Sequence, residues 1–242
     1  NASIGVDAAM AEEDLLGSLA HVRMLARRGI VTAEEGDAIV AGLERLLTDV
    51  RAGAITWRED LEDVHMNLES LLTERIGPAG GKLHTARSRN DQVTTDARLY
   101  LRRRGSELRD LVVELRRVLV ALAHEHVDVI MPGYTHLQVA QPVRFSHHLL
   151  AYHEMFRRDQ GRLEDALARA DVSPLGAGAL AGTTFDIARH LTADLLDFGA
   201  VAANSLDAVS DRDYMLETLS ALAILMMHLS RLSEELILWS SA

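Results

Sequence analysis

The sequence contains no cysteine, few aromatic residues and few prolines. Without cysteine the chain can form no disulfide and no zinc-thiolate site, and it lacks a thiolate nucleophile. Phe, Trp and Tyr make up only 4% of the 242 residues, and there are four prolines. Few segments combine β-branched and aromatic residues with period-two alternation, so the sequence predicts helices rather than sheet.

The chain also lacks positive charge overall, with a formal net charge of −11. This balance argues against a general affinity for nucleic acid, which requires Lys and Arg to neutralise phosphates. No apolar run reaches the roughly 20 residues that span a bilayer, and residues 219–229, the best candidate, are interpreted as part of a core helix. With no secretory signal visible, we expect a cytoplasmic protein that binds neither membranes nor nucleic acid.

Ala and Leu are abundant, and both favour helices. Apolar residues recur at three-four spacing over long stretches, which predicts an all-α fold. We expect a small N-terminal helical domain at residues 1–87, followed at 88–242 by long antiparallel helices of an incomplete bundle. The boundary is placed shortly after the clearest break in the chain, Gly-Pro-Ala-Gly-Gly at 77–81.

Several helices have recognisable ends. Thr32 begins a capping box with Glu35, which predicts the start of the second helix. Further helices are predicted over these ranges: 61–76, 88–126, 142–169 and 204 to the C-terminus. A Gly/Ala-rich loop at 173–184 should lead into a short helix near Ile187.

Residues 132–142, Pro-Gly-Tyr-Thr-His-Leu-Gln-Val-Ala-Gln-Pro, contain a histidine between Pro-Gly and Pro, residues that interrupt regular secondary structure. Pro132-Gly133 signals a turn, and Pro142 is suited to the first position of a helix. His136 is therefore predicted to lie on a loop, where catalytic groups tend to occur. Its imidazole can transfer protons near neutral pH.

A second segment, residues 82–92, places Ser88, Arg89 and Asn90 at the N-terminus of a long helix. Free backbone N–H groups and the helix dipole favour an anion there. Arg87 and Arg89 add charge suited to a carboxylate. The alternative is an ordinary helix cap, in which Ser88 pairs with Asp91 beside two solvated arginines.

Other polar clusters have simpler interpretations. The segment 204–214 holds three aspartates and Arg212, which capping and ion pairs largely explain. The glycines within 174–183 do not match the dinucleotide fingerprint, so tight backbone packing is the better interpretation. The eleven histidines include no His-Glu-x-x-His pattern and suggest no metal site. Five of them are interpreted as packing and surface residues: His124, His126, His147, His148 and His153.

Four segments together resemble the argininosuccinate lyase family of the fumarase/aspartase superfamily. They are Ser-Arg-Asn-Asp-Gln at 88–92, Gly-Tyr-Thr-His-Leu-Gln at 133–138, Gly-Ala-Leu-Ala-Gly-Thr at 178–183 and Asn-Ser-Leu-Asp-Ala-Val-Ser-Asp-Arg-Asp at 204–213. The resemblance extends over essentially the whole chain. Thr-His-Leu-Gln is shared across the superfamily, whereas Tyr134 and the Ser-Arg-Asn-Asp-Gln string point to the argininosuccinate branch.

The resemblance implies reversible cleavage of argininosuccinate to arginine and fumarate, without a metal or organic cofactor. It makes His136 the catalytic histidine, for which we favour proton donation to the leaving group. It assigns substrate binding to five residues: Ser18, Ser88, Arg89, Asn90 and Thr135. His65 and Arg212 are implied more weakly to line the site.

The sequence departs from the family pattern in two ways. The Gly-Ser-Ser-x-Met-Pro-x-Lys-x-Asn-Pro loop, which carries the family's other proposed proton-transfer group, does not occur before the last residue, Ala242. Ala86 stands where the family often has glycine. The family forms homotetramers with active sites shared between subunits, so we expect this N-terminal portion to be inactive alone.

Two alternatives remain open. The chain could act as another fumarate-releasing lyase of the superfamily, of the adenylosuccinate lyase, aspartase or fumarase type. It could also be a structural protein on the same scaffold, like the lens crystallins related to the family. Tyr134 weighs against the first, and retention of His136, Thr135 and Asn90 favours an enzyme.

Overall fold

The structure is a computed structural model that describes residues 3–241. It is 70% helical with only small sheets, so the predicted all-α fold is confirmed. The α-helices are α1 Ile4–Asp7, α2 Ala11–Arg27, α3 Ala33–Arg51, α4 Val64–Ile76, α5 Arg89–Glu125, α6 Phe145–Ala170, α7 Arg189–Leu195, α8 Ser205–Ser210 and α9 Asp213–Ser240. Two 3₁₀ helices, Ala8–Met10 and Gly77–His84, follow α1 and α4.

Two short two-stranded sheets interrupt the helices. Strands β1 (Ile130–Thr135) and β2 (Gln138–Arg144) form an antiparallel hairpin. Strands β3 (Val172–Ser173) and β4 (Ala200–Val201) pair in parallel. The prediction that Pro142 opens a helix was wrong, because Pro142 lies in β2 and α6 begins three positions later.

Two compact units make up the chain. The first comprises Asn1–Tyr100 and Asp171–Asp211, and the second comprises Leu101–Ala170 and Arg212–Ala242. The boundary predicted after residue 87 falls inside the first unit, and as a division into domains it remains a prediction.

In the first unit, α2, α3 and α4 pack around one apolar core. Its buried members include Leu15, Leu19 and Val22 of α2, Ile39, Leu43 and Leu46 of α3, and Val64, Leu68 and Leu72 of α4. The capping box that fixes the start of α3 is present: Glu35 N–H donates to Thr32 Oγ1, and Thr32 N–H donates to Glu35 Oε2. Gly42 lets α4 approach α3 closely, because a Cβ there would lie 2.6 Å from Leu72 Cδ1.

In the second unit, α6 packs against α9 and against the C-terminal part of α5. The core includes Val112 and Leu119 of α5, Leu149, Phe156 and Leu163 of α6, and Ala221 and Leu225 of α9. A buried polar pair crosses between α6 and α9, where Asp159 Oδ2 lies 2.6 Å from His228 Nδ1. The three-four spacing of apolar residues in these helices therefore fills one shared core.

The single helix predicted from residue 204 was wrong, since the chain leaves helical geometry between α8 and α9. Asp211 is extended there, with φ −57° and ψ 130°. Asp211 also forms an ion pair with buried Arg98 of α5, and both residues belong to the first unit. We attribute the break to this long-range pairing. Ala242, which the predicted helix included, lies outside the described residues.

Helix α9 is long and apolar enough, by length and composition alone, to cross a membrane. The prediction that no segment reaches this limit was therefore wrong for α9, whose apolar stretch extends beyond residues 219–229. The evidence for a span is weak, because apolar core helices pass the same test. The expectation that the protein does not bind membranes remains a prediction.

Candidate active site

The histidine singled out by the sequence lies at the tip of the β1–β2 hairpin. Thr135 pairs with Gln138, which leaves His136 and Leu137 as a two-residue turn. All four of these residues are exposed. Gly133 is required in β1, because a Cβ there would lie 2.8 Å from the carbonyl oxygen of Gln141 on β2. The Pro-Gly signal thus marks an irregularity within a strand, and the turn itself carries no glycine.

The backbone of His136 has an unusual conformation. Its φ is 50° and that of Leu137 is 59°, so both residues lie in the left-handed region. This is the geometry of a type I′ hairpin turn, which normally selects Asn-Gly because side chains disfavour it. Strained backbone of this kind clusters at functional sites. The side chain of His136 is exposed to solvent at this turn.

Beside the hairpin lies an open groove with a volume of about 940 Å³, contained within the second unit. Its walls come from both strands, from His147 and His148 of α6, and from Glu235 and Trp239 of α9. The His148 ring lies edge-on to Trp239, with ring centroids 5.1 Å apart, and its Nε2 pairs with Glu235. Histidines that the sequence assigned to packing and surface therefore line the groove that also contains His136.

The predicted anion-binding residues lie at the first turn of α5, in the first unit. Arg89 Nη1 donates to Gln92 Oε1 at 2.9 Å, and Arg89 also lies near the carboxylates of Asp63 and Glu69. Asn90 donates its side-chain amide to Ala179 O at 2.8 Å. Some backbone donors are already used, because the N–H of Asn90 points to Ser88 Oγ at 3.3 Å.

The alternative interpretation of this segment as a helix cap is confirmed as a structural feature. The N–H of Ser88 donates to Asp91 Oδ1 at 2.9 Å. The other oxygen of Asp91 accepts from the N–H groups of Gly176 and Gly178 at 3.0 and 2.8 Å. Asp91 therefore caps α5 and holds the glycine loop. The tight packing predicted for that loop is also present, since a Cβ at Gly178 would lie 2.6 Å from the carbonyl of Gly182.

Two other predicted site residues, Ser18 and His65, lie buried in the first unit beside Asp14. Ser18 donates to Asp14 Oδ1 at 3.3 Å and accepts from Arg87 Nη1 at 2.9 Å. His65 Nδ1 lies 3.1 Å from Asp14 Oδ2 and 3.5 Å from Asp96 Oδ2. The sequence grouped Arg87 with Arg89 as a cation for the ligand, whereas Arg87 faces this buried aspartate cluster.

The two buried aspartates have opposite pKa shifts. Burial raises the pKa of Asp14, but the hydrogen bond and charge of His65, the charge of Arg87 and the hydrogen bond from Gln92 outweigh it, and the pKa falls to about 2. Burial, together with the nearby Asp14 charge, raises the pKa of Asp96 well above its ordinary value. We infer that Asp14 is ionised at neutral pH. Because an ionised carboxylate only accepts, Nδ1 of His65 carries a proton.

Asp14, His65 and Asp96 could also hold a metal ion, since their ligand atoms lie within 4.8 Å of one another. The sequence suggested no metal site, because these residues are far apart along the chain. The guanidinium of Arg87 already supplies positive charge to both carboxylates. Hydrogen bonds from Ser18, His65 and Gln92 explain the contacts of Asp14, whereas Asp96 Oδ2 is buried without a hydrogen-bond partner among the described residues.

Arg212 lies at the N-cap position of α9 and is exposed, in the second unit. The capping expected for residues 204–214 is confirmed at Asn204, whose Oδ1 accepts from the N–H groups of Leu206 and Asp207. The eight predicted residues thus form separate groups. The first unit contains Ser18, His65, Ser88, Arg89 and Asn90, and the second contains Thr135, His136 and Arg212.

Reasoning from the sequence missed Asp14 and Gln92 as part of this arrangement. Gln92 bridges the two clusters of the first unit, donating to Asp14 Oδ1 at 2.6 Å and accepting from Arg89 at 2.9 Å. Gln92 occurs inside the family segment 88–92, but its side chain, like that of Asp14, is ordinary for a helix. Only the packing of α2 against the start of α5 brings them together.

Long helices, an exposed histidine and a cationic helix start are the features of a helical lyase. The chain belongs to the lyase family, whose profile matches residues 1–242. It is 59% identical over its whole length to argininosuccinate lyases from Moorella thermoacetica and Thermus thermophilus, of which it covers 52% and 53%. The chain therefore spans about half the length of these relatives.

Solved structures agree on the fold. The crystal structure of EDDS lyase in complex with formate matches 98% of this chain and 46% of that one, with 33% identity and a TM-score of 0.89. A Brucella melitensis protein described as fumarate lyase:delta crystallin matches all of this chain and 58% of that one, with a TM-score of 0.83. At 19% identity, this second likeness shows the fold alone.

Proposed function

We propose that the complete protein containing this chain cleaves argininosuccinate to arginine and fumarate by elimination. The observation that carries the proposal is the 59% identity to argininosuccinate lyases across the whole chain. Tyr134 and Ser88-Arg89-Asn90 support this branch of the family over the adenylosuccinate, aspartate and malate branches. The exposed position of His136 is compatible with its role in the proposal.

Substrate carboxylates would bind at the start of α5. The reaction removes a proton from the carbon next to a carboxylate, so negative charge grows on that group. Preorganised donors are needed to stabilise it. Arg89 supplies a charged fork, and the hydroxyl of Ser88 and amide of Asn90 supply shorter-range donors at the positive end of the α5 dipole. The resemblance to the family adds Thr135 and Ser18 as substrate-binding residues and, more weakly, His65 and Arg212.

His136 would transfer a proton to the departing guanidino nitrogen, directly or through water. The side chain of His136 is exposed, so a ligand can reach its ring. Imidazole is a common general acid in proton transfer to a leaving group.

The test is turnover by the complete gene product, followed as the ultraviolet absorbance of fumarate. We expect argininosuccinate to be the best of a panel that includes adenylosuccinate, aspartate, malate and EDDS. Preference for another member would identify a different lyase, and no turnover of any would favour a crystallin-like structural role. His136→Asn should lower kcat by well over tenfold, which is more than about 1.4 kcal/mol in the barrier.

We further propose a homotetramer with active sites shared between subunits, and therefore no activity from polypeptide 1–242 alone. Apolar side chains exposed in the second unit support an association surface. They include Leu111 and Val118 of α5 and Leu216, Leu219 and Met226 of α9. Light scattering should give a tetramer for the complete protein, and Leu219→Glu should weaken it. Leu195→Glu, at an exposed leucine of α7, should leave the mass unchanged. Turnover by polypeptide 1–242 would contradict the prediction of inactivity.

A further inference from the structure

Asp14 is a buried acceptor shared by residues of the proposed site. It is only 2% exposed. Its Oδ1 accepts from Gln92 Nε2 at 2.6 Å and from Ser18 Oγ at 3.3 Å, and its Oδ2 lies 3.1 Å from His65 Nδ1. A carboxylate in this position offers only acceptors, so it dictates which end of each partner faces it.

The contact with Gln92 fixes the orientation of an amide whose two ends differ. Because Nε2 of Gln92 is directed to Asp14, its Oε1 is directed to the other side, where it accepts from Arg89 Nη1 at 2.9 Å. Gln92 is 3% exposed and cannot exchange these partners for water without local opening. The position of Asp14 therefore influences the orientation of the Arg89 guanidinium through the two hydrogen bonds of the Gln92 amide.

Arg89 has few other strong restraints. Its remaining charged neighbours are more distant, with Nε 3.5 Å from Asp63 Oδ2 and Nη2 3.8 Å from Glu69 Oε2. A guanidinium grips a carboxylate well only when its planar fork is aligned with it. The hydrogen bond that Arg89 donates to Gln92 is therefore the closest of these three contacts and sets the plane of the guanidinium.

We propose that Asp14 is a positioning residue for substrate binding, which orients the carboxylate-binding Arg89 through Gln92. This inference rests on the proposed function, because it assigns Arg89 to a substrate carboxylate. The contribution is to affinity more than to the chemical step. A fork held in place loses less rotational freedom when the substrate binds.

The experiment compares Asp14→Asn and Gln92→Met in the complete protein. In Asp14→Asn the new amide can donate a hydrogen bond to Gln92. The Gln92 amide is then no longer forced to direct its Nε2 at residue 14 and its Oε1 at Arg89. In Gln92→Met the amide that connects Asp14 to Arg89 is absent, and the net charge does not change. We expect each variant to raise KM for argininosuccinate about tenfold while kcat falls less than threefold, the scale of one charge-assisted hydrogen bond.

Two comparisons separate positioning from general destabilisation. Asp159→Asn is the matched control, because Asp159 is another buried aspartate beside a histidine and an arginine. It should lower stability without raising KM. In an Arg89→Lys background, Asp14→Asn should change KM by less than twofold, because the fork that it orients is gone.

Three outcomes would overturn the proposal. They are an unchanged KM in Gln92→Met, an equal rise in KM with and without Arg89→Lys, or a fall in kcat alone. If Asp14→Asn does not fold, the result for Gln92→Met decides.

Fumarate binding measured by calorimetry separates this proposal from the proposed function. If the wild-type protein binds fumarate about tenfold more tightly than Gln92→Met but does not cleave argininosuccinate, the positioning role of Asp14 is supported and the proposed function is wrong. If both proteins cleave argininosuccinate with the same KM and bind fumarate equally well, the positioning role of Asp14 is wrong and the proposed function stands. If the wild-type protein neither cleaves argininosuccinate nor binds fumarate, both proposals are wrong.

Discussion

Asp91 and Gly178 are joined by a hydrogen bond of 2.8 Å that ties the first turn of α5 to the glycine loop. Asp91 is fully buried, and its two oxygens accept three backbone N–H groups. One carboxylate thus holds Ser88 at the helix start and the loop that carries Ala179, the partner of Asn90. The geometry of the proposed anion-binding turn depends on this side chain.

Asp91→Asn should therefore destabilise the protein. An amide has one accepting oxygen, so at least one of the three N–H groups would face a donor or lose its partner. We expect the free energy of unfolding in urea to fall by about 1–3 kcal/mol. Asp37→Asn, at an exposed position of α3, is the control and should change it by less than about 0.5 kcal/mol. Equal effects of the two variants would contradict the role given to Asp91.

Ala86→Gly should stabilise the protein. Ala86 has φ 60°, a left-handed conformation that costs a residue with a Cβ about 1–2 kcal/mol. Glycine would remove that cost but would gain freedom in the unfolded chain, worth about 0.4–1 kcal/mol. The net gain in unfolding free energy should be about 0.5–1 kcal/mol, and Ala86→Val should lower it. A loss of stability on introducing glycine would show that the turn is not strained.

His21 should make stability depend on pH in the acid range. Its Nε2 donates to Thr85 O at 2.8 Å, and burial with the charge of Arg87 lowers its pKa to about 3. The unfolded chain takes up this proton near pH 6.5 while the folded protein does not, so stability is full above pH 6.5 and falls as the pH drops towards 3. At pH 5 the loss should be about 2 kcal/mol.

The measurement for His21 is urea unfolding at pH 7 and pH 5. His21→Gln keeps a side-chain donor for Thr85 O but cannot titrate, so its stability should fall less between these pH values. His190→Gln, at an exposed histidine of α7, should retain the full dependence of the wild-type protein. If His21→Gln also retains it, another group is responsible.

Asp96→Asn should stabilise the protein at neutral pH. Burial and the Asp14 charge raise the pKa of Asp96, so the folded state holds a proton that the unfolded state releases above about pH 4. This difference costs stability as the pH rises above that value, and asparagine avoids it. The variant should be more stable than the wild-type protein at pH 7 and should gain nothing near pH 3. A gain in unfolding free energy that does not change between these two pH values would contradict a raised pKa of Asp96.

Much of the helical architecture could be predicted because it follows from local patterns. The Thr32 capping box and the apolar periodicity of α5, α6 and α9 can each be recognised from residues that lie within a few helical turns of one another. The hairpin could not be predicted in the same way, because its turn is His136-Leu137 and neither residue type signals a type I′ turn. Pairing along the strands stabilises that turn despite its strain, and such pairing is not a local property.

Residue periodicity and motifs were sufficient to predict long helices and a lyase family, because both are properties of short stretches of chain. The motifs also indicated Ser88, Arg89, Asn90 and His136 as candidates for chemistry. The contacts of Arg87 with a buried aspartate cluster, and of Arg89 with Gln92, follow instead from the packing of the folded chain. Which of two neighbouring arginines remains available depends on α2 and Asp14 packing against the start of α5. Burial and charge pairing act through space rather than along the sequence.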